Sequence, residues 1–350
     1  MTVIDDPSVG AAIPSATTGS TFGAEDGRRV VGTFTEGVRG FLTGGRQLAQ
    51  AVITLAGASV VVWLLAALSP VDPAQRVLAT RGIRSPTPDQ LATIRQELGL
   101  DAGLVERYVG WVAVVAHGDL GSSYISGRPV VAELLERIGA TLVLAGAALC
   151  IVLVVSSALG LASAAFPGSG TDLAIRMLTI FCAAVPSFIV ALVFIQVFVI
   201  RMGIGVALAD GSWVQAILPA TCVAISAIAI PARVLRGSLV EVLDQRYALV
   251  ARGRGGGRAY ILFRHALPNA AIPFLHAMAL TAAWMIGGTV VVEAVFNWPG
   301  VGAYLVHAIQ LGDLPVIQAI VLLATASYIF ASLVADTATT MIDPRTRSRT

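Results

Sequence analysis

Six stretches of this chain run for about twenty residues or more without a charge, and no other feature limits its fold so tightly. A helix rises 1.5 Å per residue, so ~20 apolar residues cross the ~30 Å hydrocarbon core of a bilayer. The stretches are 49–69, 139–166, 177–200, 212–232, 266–292 and 314–335. Charged residues make up 13% of the chain and hydrophobic ones 56%, whereas a soluble domain carries about 25% charge to cover its surface. The expected fold class is therefore an all-α membrane protein with six transmembrane helices. An even number of spans puts both termini on one side of the membrane.

Arginine placement gives the orientation, because short cytoplasmic loops carry the excess of cations. The 233–265 loop holds Arg233, Arg236, Arg246, Arg252, Arg254, Arg258 and Arg264 against only Glu241 and Asp244. It is assigned to the cytoplasm, together with the arginine-bearing flanks before the first span and after the last. The 70–138 segment has seven arginines and eight acids, but it exceeds the length over which the rule operates, and it is placed outside. Within it, TPDQLATIRQELGL and LVERYVGWVAVVA space their apolar residues by three and four, which predicts short amphipathic helices over the external face. Residues 1–45 are polar, without a sustained apolar period, and are expected to form a disordered cytoplasmic tail. Their acidic start does not resemble a signal peptide. Residues 348–350 form a short tail at the other end.

All 23 cationic residues are arginine. Without lysine the chain has no Walker A loop and no amine for imine chemistry, so it neither binds a nucleotide that way nor forms imines. Cys150, Cys182 and Cys222 lie inside apolar runs as small hydrophobes. His117, His265, His276 and His307 lack metal-ligand spacing. No catalytic set, cofactor, metal site or nucleic-acid surface is expected.

The arginine loop is too long to be a mere connection between membrane helices. Leu239, Val242, Leu243, Tyr247 and Val250 follow a helical period, Gly253, Gly255, Gly256 and Gly257 break it, and Tyr260–Ala266 resumes it. A helix, a turn and a second helix make a knob suited to docking on another protein. Pro186 and Pro231 lie within the third and fourth spans, where each removes a helix hydrogen bond and favours a kink. Such kinks serve pivoting and static packing alike. Glu293, ahead of Phe296, Trp298, Pro299 and Gly300, stands at the outer end of the fifth span. A carboxylate at that depth needs a partner or water, and three roles fit it: an outer-gate residue, the partner of an arginine of a subunit, or an interfacial acid beside a headgroup-anchoring Trp298. Asp336, at the inner end of the sixth span, reads as a boundary or salt-bridge residue and not a substrate ligand.

The loop also resembles a signature of the membrane subunits of binding-protein-dependent ABC importers: EAA, three residues, Gly, nine residues, Ile-x-Leu-Pro. Leu249-Val250-Ala251 stands at the triplet, Gly255 at the glycine, and His265-Ala266-Leu267-Pro268 at the end, with the spacing kept. YALVARGRG followed by RHALPNAAIP is similar to the B-type dipeptide and oligopeptide permeases. So, in the same order along the chain, are LSPVDPAQ, GDLGSSYISGRPV, VVVEAVFNWPGVGAYL and the terminal IDPRTR. The resemblance covers residues 46–347, the permease domain, and implies a type I ABC importer permease fold. It implies an ATP-driven importer of dipeptides or oligopeptides in the cell inner membrane. The partners it implies are a second homologous permease subunit, two cytoplasmic ABC ATPase domains that bind the ATP, an external substrate-binding protein and the peptide substrate.

For the coupling helix, the resemblance implies that Ala251 and Gly255 are small so that backbones approach, and that Arg252 and Arg254 face acidic groups of the ATPase, with Leu267 and Pro268 closing the motif. The same arginines also suit the positive-inside rule or anionic lipid. Gly256-Gly257 replaces bulkier residues of the subfamily, which predicts a looser turn. Nickel, glutathione and haem are alternative substrates of the same class. A stand-alone secondary transporter predicts inverted repeats and midplane ionisable groups, and the chain shows neither.

Overall fold

The computed structural model describes residues 22–68, 72–83, 85–206 and 209–342. The chain separates into units 1–50 and 51–350. Helix α1 runs over Phe22–Ala67 and so begins within the segment expected to be disordered; residues 1–21 of that segment and the 348–350 tail lie outside the described residues.

Among the described residues the chain is all-helical, with one isolated bridge between Ser122 and Pro129. Three short helices follow α1: α2 (Pro73–Thr80), α3 (Pro88–Glu97) and α4 (Leu104–Ala116). The last two lie where apolar spacing predicted them. Thr87 and Gln90 close a capping box on α3, each supplying the acceptor for the other's backbone N–H. Asp72 caps α2 through the Ala74 N–H and pairs with Arg95 at 2.6 Å. Tyr108 of α4 lies edge-on to Trp63 of α1 and shares a 2.9 Å hydrogen bond with Ser59.

The bundle follows: α5 (Val130–Ala165), α6 (Gly170–Ala184), α7 (Ser187–Phe194, continued by a π turn, Ile195–Arg201), α8 (Trp213–Ala227) and α9 (Ala229–Leu243). Beyond them come α10 (Arg246–Gly253), α11 (Arg258–Ile261, continued by a π turn, Leu262–Ala266), α12 (Leu267–Gly288), α13 (Val290–Val295), α14 (Val301–Leu311) and α15 (Leu314–Ile342). Helices α5, α8, α9 and α12 meet in one core containing Leu144, Val152, Val223, Leu235, Leu239 and Met285.

Four helical stretches are long and apolar enough to span a membrane: Gly45–Ala67, Val130–Ala165, Arg258–Met285 and Leu314–Val334. Two bent pairs, Gly170–Ala184 with Ser187–Arg201 and Trp213–Ala227 with Ala229–Leu243, raise the number to six if each is one span. Most of each continuous window stays exposed, only 17 to 39% being buried within the chain. That is what apolar helices facing lipid or other apolar chains present.

The fifth span begins at Arg258 and not at residue 266, and the third and fourth depart further from the expected outline. The third is not one helix over 177–200. Its two halves meet at 92°, because Pro186 has no N–H to continue the ladder and pushes Val185 into extended backbone (ψ 120°). The fourth does not stop at residue 232 but continues through α9 to Leu243, bent by 50°. Arginine has good helix propensity and does not end a helix, so Arg233 and Arg236 lie inside α9 and the first third of the expected 233–265 loop is helical. Pro231 sits in the first turn of α9, close to that bend.

Candidate functional site

The knob is built around α10. Ala248 is fully buried in the core that contains Leu239, Leu243 and Ile261, and Ala251 is partly buried against it. The opposite side presents Tyr247 and Val250, 45% and 55% exposed, with Arg246, Arg252 and Arg254 also at the surface. Small residues turned inward let the helix lie close to α9 and α11. The apolar-cationic face is left open, at the end of the bundle away from α2–α4.

The glycine break proves to be a Schellman closure. The Gly256 N–H reaches the Ala251 carbonyl at 3.0 Å and the Gly255 N–H reaches the Arg252 carbonyl at 2.9 Å, while Gly255 adopts a φ of 87°. Those two bonds satisfy carbonyls that a helix end leaves orphaned. Gly255 is needed for its backbone conformation, since a Cβ there would meet nothing within 4 Å. Close approach belongs instead to Gly256, whose added Cβ would stand 2.8 Å from the Ala251 oxygen. Gly256 thus tightens the turn, where the replacement of bulkier residues by Gly256-Gly257 had predicted loosening, while a Cβ on Gly257 would meet nothing within 4 Å. Leu267 packs partly into the core and Pro268 lies exposed in the first turn of α12.

The stretch around Glu293 forms a second, separate constellation, at the opposite end from α10. Glu293 has no exposed surface. Its Oε2 accepts from the backbone N–H groups of Gly302 at 2.7 Å and Ala303 at 3.2 Å, and its Oε1 accepts from Thr289 at 3.0 Å. Thr141 of α5, beside the same carboxylate, accepts the Val301 N–H at 2.9 Å. Gly302 and Ala303 are the second and third residues of α14, so Glu293 caps that helix from within the protein. Gly300 and Gly302 make room for it: a Cβ on either would fall 2.3 or 2.9 Å from Oε2. Phe296 and Trp298 are fully buried beside it, and the Trp298 indole donates to the Ala140 carbonyl at 2.8 Å. In this chain the three side chains lock α13, α14 and α5 together and face no open channel. Trp298 lies inside the protein and not in a headgroup belt.

Several positions that hold the molecule together escaped sequence reasoning. Asp313, nearly fully buried, accepts from the Ser123 hydroxyl at 2.5 Å and the Tyr124 N–H at 3.0 Å, and so ties the 70–138 segment to the corner between α14 and α15. Burial pushes the Tyr124 phenol above its ordinary pKa, with Arg107 opposing. Asp172 of α6 makes a bidentate pair with Arg236 of α9, both bonds 2.7 Å. Between α8–α9 and α12 a groove of about 740 Å³ is lined by Ser226, Ile230, Val234, His276, Thr281 and Trp284, among others. No spacing rule brings these together; the bend at Ile228 does.

Apolar spans, a helical cap over one end and a cationic knob at the other define a multi-pass membrane protein. Comparison with known sequences assigns the class. Residues 156–348 match the family described as "Binding-protein-dependent transport system inner membrane component", and residues 41–145 match its N-terminal companion. The chain is 33% identical over 314 residues to "Probable peptide ABC transporter permease protein y4tP" of Sinorhizobium fredii, covering 86% of this chain and 98% of that one. It is also 33% identical over 304 residues to the glutathione transport system permease protein GsiC of Escherichia coli K12, and 34% to that of Salmonella typhi, with 86% and 97% of the two chains covered in each case. The chain belongs to this family: it is a permease subunit of a binding-protein-dependent ABC importer, with the all-α type I fold. Membership implies ATPase and binding-protein partners.

Proposed function

We propose that this subunit forms half of the path by which an ATP-driven importer moves short peptides inward, and that α10 is the helix through which the ATPase acts. The observation carrying the reading is the exposed face of α10. Tyr247 and Val250 lie beside Arg246, Arg252 and Arg254 on a rigid, Schellman-closed helix. An aromatic-aliphatic patch ringed by guanidinium groups suits a partner groove with an apolar floor and an acidic rim. On this reading the α10 end and both termini are cytoplasmic, α2–α4 cover the outside, and a second permease subunit completes the pathway. The groove beside His276 and Trp284 then faces that pathway, and Pro186 and Pro231, at the two bends, are its pivot positions.

Short peptides are the favoured cargo. One relative is named for peptide transport, and glutathione, named in the others, is itself a tripeptide. The groove is mainly aliphatic with a few hydroxyls, lining that tolerates varied side chains. Vesicles carrying the assembled importer and its binding protein should accumulate radiolabelled di- to pentapeptides when loaded with ATP. Accumulation of nickel or haem with no peptide uptake would overturn the cargo assignment. Failure of Gly255→Trp to lower uptake would overturn α10 as the coupling element.

A further inference from the structure

The turn between α5 and α6, Phe166–Asp172, is held by both arms of the α10 loop. On the arm entering the loop, Arg236 of α9 forks onto both oxygens of Asp172. On the arm leaving it, the Arg258 guanidinium lies over the Phe166 ring, 5.4 Å from its centroid. Asp172 gathers the rest of the turn as well: the Ser163 hydroxyl of α5 and the Gly168 N–H donate to its two oxygens at 2.5 and 3.0 Å. Its side chain is 2% exposed and that of Arg236 24%. One carboxylate thus joins the end of α5, the turn, the start of α6 and α9. A turn and a half back along α5, the backbones are close: a Cβ on Gly160 would stand 3.0 Å from Leu235 and 3.1 Å from the Ala232 carbonyl.

This geometry sets what can move. A planar guanidinium engaged through two parallel bonds resists both sliding and rotation. The close approach at Gly160 packs α9 tightly against α5. A push on α10 therefore cannot be absorbed by α9 alone; it passes to the α5–α6 turn, and from there to α6 and the 92° corner at Pro186. We propose that Asp172 is a positioning residue for coupling. Through Arg236 it makes the knob and the α5–α6 turn move as one body, with the Arg258–Phe166 contact as the weaker second fastening. This rests on α10 being the ATPase-facing helix.

The test uses the complete importer in proteoliposomes, with its ATPases and binding protein, and reads the factor by which the binding protein stimulates ATP hydrolysis. That factor does not depend on how much complex assembles. Asp172→Asn keeps a carbonyl acceptor for the Gly168 N–H and an NH₂ group that the Ser163 hydroxyl can accept, but removes the charge, and Arg236→Gln removes the other partner. Each should lower stimulation roughly tenfold, within the span of ordinary coupling energies, and the double variant should be no worse than either. Arg236→Lys should recover part of the loss, and Phe166→Ala should cost about twofold. In parallel, Val250→Cys is cross-linked to the ATPase in each background, and the cross-link should persist. Wild-type stimulation in Asp172→Asn would overturn the proposal, as would losses that simply add in the double variant. Absence of any Val250 cross-link in the wild-type background would overturn the docking of α10 itself, and this inference with it.

Discussion

Replacing Glu293 with alanine separates a helix cap from a gate. Three donors converge on this carboxylate: the Gly302 and Ala303 N–H groups and the Thr289 hydroxyl. Hydroxyls rotate, and within a helix they find the carbonyl four residues back. The two backbone N–H groups cannot turn away. Each buried donor left unpaired costs about 1–3 kcal/mol, so the variant loses on the order of 2–6 kcal/mol, before adding the void left between Gly300 and Gly302. Glu293→Gln keeps a carbonyl oxygen for the N–H pair and an NH₂ group that the Thr289 hydroxyl accepts, and should cost about 1 kcal/mol. Thermal unfolding of the detergent-solubilised subunit orders the three proteins: wild type, glutamine slightly lower, alanine lower by many degrees. Hydrogen exchange supplies the local readout, since the amides of Gly302 and Ala303 should lose protection in the alanine variant ahead of the rest of α14. An alanine variant with wild-type unfolding and wild-type protection, but no transport, would refute the cap and return Glu293 to the pathway.

The two glycines ending α10 should respond differently. Gly255→Ala incurs only the left-handed backbone cost, about 1–2 kcal/mol, whereas Gly256→Ala drives a Cβ against the Ala251 oxygen and should open the Schellman turn, seen as faster exchange of the Gly256 amide. Gly255→Trp carries the same backbone cost as the alanine but places a bulky ring on the docking side, so uptake per assembled complex should vanish while insertion persists. For orientation, Val250→Cys should react with impermeant maleimide only from the cytoplasmic side and Ser122→Cys only from outside; exchanged labelling would invert the topology. Asp313→Asn weakens the grip on Ser123 and Tyr124, and limited proteolysis should then cut the external segment sooner; an unchanged digestion pattern would show that this corner does not hold it. Arg95→Ala breaks a pair whose arginine is half exposed and should change stability by no more than about 1 kcal/mol.

Much of this molecule is legible along the chain because a bilayer imposes its requirement locally. Every residue of a span must be apolar and every backbone group satisfied within the helix, so the six apolar stretches, the short helices over 88–97 and 104–116, and the glycine-punctuated knob stand out without knowledge of neighbours. Family membership is legible for a related reason, since its motifs are short contiguous segments. Proline also acts locally, so a break at Pro186 could be foreseen; its 92° angle could not, because that depends on what α6 and α7 pack against. The limits of α9 were missed since charge marks the edge of a membrane, not the end of a helix. Glu293 is the clearest case. Sequence shows an acid at the rim of a span, and only tertiary structure brings Thr141, Gly302 and Ala303 to it, turning a suspected gate into a buried cap. Asp172 and Arg236 are 64 residues apart, and a buried ion pair across that separation leaves no periodic trace. What the chain determines by itself is which segments are apolar enough to cross a bilayer. Which polar groups find each other is decided only when the helices cross, because a hydrogen bond depends on a distance in space that sequence separation does not encode.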